Sequence, residues 1–428
     1  MTDSVVDRSE GFGERLLGAL LDRAHLVPPH MIAPLIAERV ARIGGRDVSV
    51  LLQDYAQELL VPLPGRRLVV GEPEAIGDSP AGQSFLHADT VEVAQNGAVR
   101  MYLPLLDGSD QIGVLALTLD EVDDHDRRLL RRLASLVADM MVTKHAYTDL
   151  FFLARRREPM SVAAEMQWTL LPPLAMSVPQ VEVAGILEPA YNVAGDSFDY
   201  ALNDSILHVA VIDAMGHDLD AATMATVAIG AYRHARRGDI SLAEKYTFMD
   251  QAIARQFGPD HFVTAQMLHL NISTGHLEWV NAGHPAPLLI RDQGGAEALH
   301  GPTTLPVGFG GEQPRTSEIQ LHPGDRLLCY TDGVIEEHET GGEQFGEQQL
   351  IDCVNRVGKA GEGVRATVRR LSHTLKDARG GRTSDDATLF LIEWHGGTTD
   401  HLTDLDRGGR RGNSASSQTR TRNDTRNE

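Results

Sequence analysis

The stretch LLCYTDGVIEEHE, residues 327–339, decides how the C-terminal half of the chain is read. Four residues, Leu327, Leu328, Cys329 and Tyr330, make an apolar run that stops at Thr331-Asp332-Gly333, and carboxylates follow. Such a run ended by Asp-Gly reads as a strand closing in a tight turn, because glycine accepts the positive φ that the turn asks for. That accounts for Gly333 and leaves Asp332 open. The pattern recurs in VAGDSFDY (Asp196, Asp199), AVIDAMGHD (Asp213) and TSDDATLFL (Asp385, Asp386). Each acid alone suits a turn. Together they suit carboxylates at neighbouring strand ends that converge on one cleft.

Converging like charges are costly unless some hold protons or a divalent ion neutralises them. Ligation by carboxylates without histidine or thiolate is hard-cation chemistry, which points to Mg²⁺ or Mn²⁺ with waters retained. Two such ions about 3.5–4 Å apart can bridge a hydroxide poised for in-line attack on phosphorus. The residues by themselves therefore reach a two-metal phosphoester hydrolase.

The bulk properties agree. At 428 residues the chain has room for two or three domains. Its formal net charge of -21, from 39 basic and 60 acidic residues, would repel a phosphate backbone, so nucleic acid is not an expected partner. Two cysteines, Cys329 and Cys353, allow neither a zinc-type spacing nor a disulfide framework. The opening MTDSVVDRSE lacks the basic-then-apolar order of a secretory signal. No uninterrupted apolar stretch nears the ~20 residues of a membrane helix. The expectation is a cytoplasmic protein that does not engage a membrane.

Along the chain, helical spacing over 13–43 is broken at Pro28-Pro29 and gives way to strand-like pieces, VSVLLQDY, RRLVVG, VRMYLPLL and QIGVLALTL. The last two flank DGSD, a hairpin signal. A helix starts near Asp123. Its stripe of Leu129, Leu133, Leu136 and Met140 continues through Tyr147, Leu150 and Ala154, which suits either a seam between two copies of the chain or a face packed on its own domain. MSVAAEMQWTLLPP reads as a further helix. From Val181 to Trp394 short β-rich segments dominate, with helices at AATMATVAIGAYRHARR and GVRATVRRLSHTLKDA. The expected fold class is α+β. The expected units are a small α+β domain over 13–144, a helical linker over 145–175, an α+β sandwich over 176–395, and a polar tail over 396–428 too poor in apolar residues to order itself.

The C-terminal segments resemble the PPM family (type 2C, metal-dependent serine/threonine phosphatases) in its SpoIIE-like branch. The resemblance runs in order through EPAYNVAGDSFDY, VIDAMGHDLDAATMA, FVTAQMLHLNISTGHLEWVNAGHPAPLLI, LPVGF, LHPGDRLLCYTDGVIEEHE, FGEQQL and SDDATLFLIEW. Residues 13–144 resemble a GAF sensor domain, best at VRMYLPLLDGSDQIGVLALTL. The phosphatase resemblance implies two packed antiparallel sheets and two bound Mn²⁺ or Mg²⁺ ions. Asp196 would bind one ion, Asp213 would bridge both, and the carbonyl of Ala214 would complete the first. Asp332 would hold the second ion with Asp385, or with Asp386 in its place. Asp213 and Asp332 are the acids on which turnover would depend, and Asp199 would support the others from behind.

Two positions depart from the family's pattern. Ala194 stands where a second glycine is usual, and Gly216-His217-Asp218 replaces Gly-His-Gly. His217 is a candidate acid for the leaving alkoxide, although relatives with such an acid carry it at the position of Met215. His284 is expected to hold a loop. The implied substrate is a phosphorylated anti-sigma-factor antagonist, with the N-terminal domain as regulator and a homodimer through the linker helix. A competing reading makes the chain a weakly active, phosphatase-like module that signals by binding.

Overall fold

A computed structural model describes residues 10–69, 71–107, 110–193, 195–238, 240–291, 295–311, 314–335, 346–357, 362–378 and 386–397. The N-terminal domain opens with α1 (Glu10–Leu21) and α2 (Ile32–Arg42), parted around Pro28-Pro29 because a proline beyond a helix's first turn lacks the N–H that the helix bonds need. Next come β1 (Arg46–Gln53), β2 (Leu59–Pro62), β3 (Glu74–Ala75), α3 (Pro80–His87), β4 (Val91–Gln95), β5 (Ala98–Asp107), β6 (Asp110–Leu119) and α4 (Asp124–His145). The six strands form one sheet in the order β3-β2-β1-β6-β5-β4. Alternation along the strands splits the side chains. Val50, Leu52, Leu115 and Leu117 join the core under α1, α2 and α4, while Leu51 and Val114 meet Phe85 of α3 on the other face.

The expected β5–β6 hairpin is present. The strand expected over 66–71 is not. Residues 66–69 form a turn and a loop, and the strand lies earlier, at β2, as the second arm of a hairpin with β1. The Asp54 carboxylate makes that hairpin, accepting from the backbone N–H groups of Glu58 and Leu59 at 2.9 and 3.0 Å. Helix α4 begins in a capping box of Asp123 and Asp126 and ends at His145, so it does not carry its stripe onward as one helix. Leu129, Leu133 and Met140 are buried in their own domain's core. Of the two readings of that stripe, the packed face is the one these residues adopt.

The linker consists of α5 (Leu150–Arg155) and α6 (Val162–Leu170), the latter capped by Ser161. Beyond it run β7 (Ala175–Val178), β8 (Val181–Glu188), β9 (Asp196–Asn203), β10 (Ile206–Ala214), α7 (Asp218–Arg237) and α8 (Leu242–Gln256). Then follow β11 (Val263–Asn271), β12 (His276–Ala282), β13 (Leu288–Arg291), β14 (Gly295–Ala298), β15 (Thr303–Thr304), β16 (Ser317–Gln320) and β17 (Arg326–Tyr330). The described elements close with α9 (Glu347–Val357), α10 (Val364–Ala378) and β18 (Ala387–Trp394).

These strands build two six-stranded sheets. One has the order β15-β12-β11-β10-β9 with β16 also on β12, and the other β14-β13-β17-β18-β8-β7. Their inner faces share a core in which Phe198, Tyr200 and Val211 meet Val183, Cys329 and Phe390. Helices α7 and α8 cover the outer face of the first sheet, α9 and α10 that of the second. The architecture is the expected α+β sandwich. Helix α8 is an element that apolar spacing alone did not mark, although its capping box of Ser241 and Glu244 was a usable signal.

Candidate metal centre

Strands β9 and β10 bring the first two acids together. Asp196 opens β9 and stands directly opposite Asp213 in the ladder, so both point from the same face, the one turned to the second sheet. The backbone N–H of Ala214 donates to the carbonyl of Gly195 at 3.1 Å. A Cβ on Gly195 would stand 2.6 Å from the Ala214 carbonyl oxygen and 3.3 Å from Asp213 Oδ1. Glycine here keeps open a cradle of oxygens that any side chain would fill.

The second sheet supplies the rest. After β17 the chain turns through Asp332, Gly333 and Val334, and Asp386 lies just before the adjacent β18. A Cβ on Gly333 would come 1.9 Å from the Asp386 carbonyl oxygen, and Gly333 is not among the positive-φ glycines. The turn therefore needs glycine for close approach rather than for the positive φ that Asp-Gly suggested. Asp386 Oδ2 accepts from the backbone N–H of Gly195 at 2.7 Å and of Asp196 at 3.4 Å, which ties the two sheets together at this end.

Two threonines complete the junction. Thr331 and Thr388 each donate a hydroxyl hydrogen bond to Asp196 Oδ2, at 2.6 and 2.7 Å, and Thr388 N–H donates to Thr331 Oγ1 at 2.8 Å. Neither threonine stood out in the sequence. The available signal was a hydroxyl residue within two positions of an acid at both strand ends, in YTDG and DDATLF.

Asp196 is only 1% exposed. Burial pushes its carboxyl well above the usual range, the charges of Asp213 and Asp386 push it further, and the two threonine hydroxyls act the other way. A buried carboxylate facing two more, beside a backbone carbonyl, is an oxygen-only donor set that suits a hard divalent cation. The residues present fit Mg²⁺ or Mn²⁺. Asp213, Asp332 and Asp386 are half-buried at this end. Ala194 and Asp385 lie outside the described residues, so of the two adjacent acids only Asp386 is seen in place.

Asp199 departs from its expected supporting role. It is an odd number of residues from Asp196 and so projects from the opposite face of β9. There it pairs with α7, accepting from Arg233 Nε and Nη2 at 2.9 and 2.7 Å and from Arg236 Nη1 at 2.5 Å. His217 is exposed, with Nδ1 3.0 Å from Asp218 Oδ2. Asp218 adopts φ 60°, the left-handed region that glycine would favour at that position. His284 is buried, its Nδ1 2.8 Å from Thr264 Oγ1 and its backbone bracketed by the Asn281 amide, and burial lowers it to about 3. Asp250 of α8 accepts from the N–H groups of Gly308 and Gly310 at 2.8 and 2.9 Å and so holds the LPVGF loop. At the far end of the same sheet His276, Glu278 and Glu318 bring three potential ligand atoms within 4.8 Å of one another, remote from the acid-lined junction.

Residues 203–395 match the family model of stage II sporulation protein E (SpoIIE). Phosphoserine phosphatase RsbP of Bacillus subtilis (strain 168) is 26% identical over 163 residues, which cover 37% of this chain and 40% of RsbP. Protein IcfG of Synechocystis is 24% identical over 223 residues, 44% of this chain and 34% of IcfG. The chain thus spans less than half the length of these curated relatives. The solved SiaA-PP2C domain of Pseudomonas aeruginosa aligns with a TM-score of 0.47 at 20% identity, covering 54% of this chain and 94% of that domain. Over residues 203–395 the chain is thus similar to the SpoIIE family, to whose model those residues match.

Proposed function

We propose that the chain hydrolyses phosphoserine or phosphothreonine on a partner protein, with Mn²⁺ or Mg²⁺ held by Asp196, Asp213, the Ala214 carbonyl, Asp332 and one of Asp385 and Asp386. The observation that carries this reading is the meeting of Asp196, Asp213 and Asp386 where the two sheets join. Phosphate-monoester hydrolysis is extremely slow unaided, so its catalyst must supply a very large factor. When bound, the ions would supply a hydroxide nucleophile near neutral pH and neutralise charge at the phosphoryl oxygens.

The chain's own groups prepare that chemistry. Thr331 and Thr388 engage Asp196 Oδ2 and leave its Oδ1 for a cation. Gly195 keeps side-chain carbon out of the cradle formed by Asp213 and Ala214. The Asp386 carboxylate, anchored on the N–H of Gly195, holds the two halves of the site in register. Beside the Asp213 loop, Met215, Leu219 and Phe309 are exposed apolar side chains, which suits a protein surface as substrate better than a small phosphate ester.

The likeness to a phosphoserine phosphatase supports a phosphorylated protein as substrate. The SpoIIE-like resemblance makes that protein an anti-sigma-factor antagonist, and the GAF-like resemblance of residues 13–144 makes the N-terminal domain the regulator of the site. Asp218 keeps the backbone form of the glycine it replaces, which weakens the reading of the chain as a binding module without turnover. The test is phosphate release from phosphorylated candidate partners with Mn²⁺ titrated in and then removed by EDTA. Release that persists unchanged in EDTA would overturn the reading.

A further inference from the structure

The turn between β1 and β2, residues 54–58, reaches out of the N-terminal domain into the phosphatase domain. Tyr55 at its tip is 3% exposed although it belongs to no core of its own domain. It clusters with Ala190 and Tyr191, and its ring lies 4.9 Å from Trp168 and 4.6 Å from the Arg155 guanidinium. The neighbouring residues are gripped as well. Arg155 Nε donates to the Gln53 carbonyl at 2.7 Å, Arg369 Nη2 to the Glu58 carbonyl at 3.2 Å, and Lys376 Nζ to Glu58 Oε1 at 2.6 Å.

The segment that Tyr55 touches leads straight into the acid-lined junction. Trp168 Nε1 donates to the Ala190 carbonyl at 2.7 Å, and Ser161 N–H donates to the Tyr191 carbonyl at 3.0 Å. Two residues on, Val193 N–H is bonded to the Pro189 carbonyl. Gly195 and Asp196 follow, with their N–H groups on Asp386 and the Gly195 carbonyl on Ala214 N–H. Beside the Tyr55 contact lies an open cleft of ≈ 900 Å³, lined among others by Tyr55, Phe152 and Trp168.

We infer that Tyr55 is a positioning residue for the metal centre, acting from the other domain: its packing against Ala190, Tyr191 and Trp168 fixes the 189–193 segment, two residues ahead of Gly195 and so ahead of Asp196. The inference rests on the metal assignment proposed above. It makes the β1–β2 turn a route by which the N-terminal domain alters cation affinity. Coupling of this kind is reciprocal, so a cation bound at Asp196 steadies the turn in return.

The test uses the full chain. Calorimetric titration with Mn²⁺ alone should show Tyr55→Ala binding about fivefold or more weakly than wild type, the lower scale of ordinary coupling between sites. Tyr55→Phe should bind like wild type, because the buried Tyr55 hydroxyl has no hydrogen-bond partner among the described residues. In turnover, Tyr55→Ala should need more Mn²⁺ yet show an unchanged KM for a phosphopeptide once Mn²⁺ is saturating. Hydrogen exchange on the wild type needs no variant: Mn²⁺ should slow exchange at the amides of Glu58 and Leu59. Equal Mn²⁺ affinity in a folded Tyr55→Ala, or exchange at these amides indifferent to Mn²⁺, overturns the inference alone. Failure of the wild type to bind Mn²⁺ overturns the metal assignment beneath it. Mn²⁺ binding without hydrolysis overturns only the proposed activity.

Discussion

Thr388 Oγ1 donates to Asp196 Oδ2 at 2.7 Å across the gap between the two sheets, joining residues 192 positions apart. With the matching bond from Thr331, it holds a buried carboxylate where two other acids face it. Removing one hydroxyl leaves that oxygen under-satisfied in a buried site, a cost of about 1–3 kcal/mol. Thr388→Val should lower the melting temperature accordingly and weaken Mn²⁺ binding, as read by thermal melts with and without the ion.

The raised carboxyl of Asp196 has a consequence for pH. In the metal-free protein the folded state keeps this proton to higher pH than the unfolded chain, whose Asp titrates near ~3.9. Across that window the native state binds more protons, so stability falls as pH rises through it. Asp196→Asn removes the group. Its metal-free melting temperature should decline less than that of the wild type as pH rises above the free Asp value of ~3.9. Parallel curves for the two proteins would refute the raised carboxyl of Asp196.

Asp213 lies near the end of β10 and Asp332 in the turn after β17, on different sheets, and each is proposed to hold a cation. Asp213→Ala and Asp332→Ala should each lower Mn²⁺-dependent kcat by about a hundredfold or more, the scale for losing one preorganised electrostatic element. The assay is hydrolysis of a generic aryl phosphate at saturating Mn²⁺. His217→Ala should stay well short of the roughly 10²–10⁴-fold loss expected for a positioned general acid, since that ring is exposed and bonded to Asp218.

Cation binding should also show in stability. An ion that binds only the folded chain adds ~2.7 kcal/mol at a hundredfold excess over its dissociation constant. Mn²⁺ should raise the melting temperature, and EDTA should reverse the rise. Asp213→Ala should abolish the response.

Asp199 is expected to behave differently from its neighbour Asp196. Its carboxylate is buried against Arg233 and Arg236, and breaking such a pair by removing one partner costs about 3–5 kcal/mol. Asp199→Ala should therefore melt early at any Mn²⁺ concentration, with a metal dependence like that of the wild type in whatever fraction remains folded.

Much of this was legible along the chain because it depends on local pattern. Alternating and continuous apolar runs marked β5, β6, β8, β10, β11, β12 and β18, and proline pairs marked helix ends. Acids beside small residues at strand ends drew attention to Asp196 and Asp213, which the ladder sets opposite each other, because only a few residue types close a strand and fewer still carry charge there. The strand expected over 66–71 failed for a local reason of its own, since the Asp54 turn folds Leu59–Pro62 back onto β1 first.

Tertiary structure decided what local pattern cannot carry. Asp196 and Asp199 look alike in GDSFD, yet the pleat of β9 sends one to the cleft and the other to the arginines of α7. Gly333 reads as a turn glycine, but its need is the carbonyl of Asp386, brought up by the adjacent strand. Tyr55 reads as one more strand residue and ends up buried against a different domain. Propensity and alternation act over a handful of neighbouring residues, whereas these contacts join positions far apart and exist only once the sheets and domains have packed.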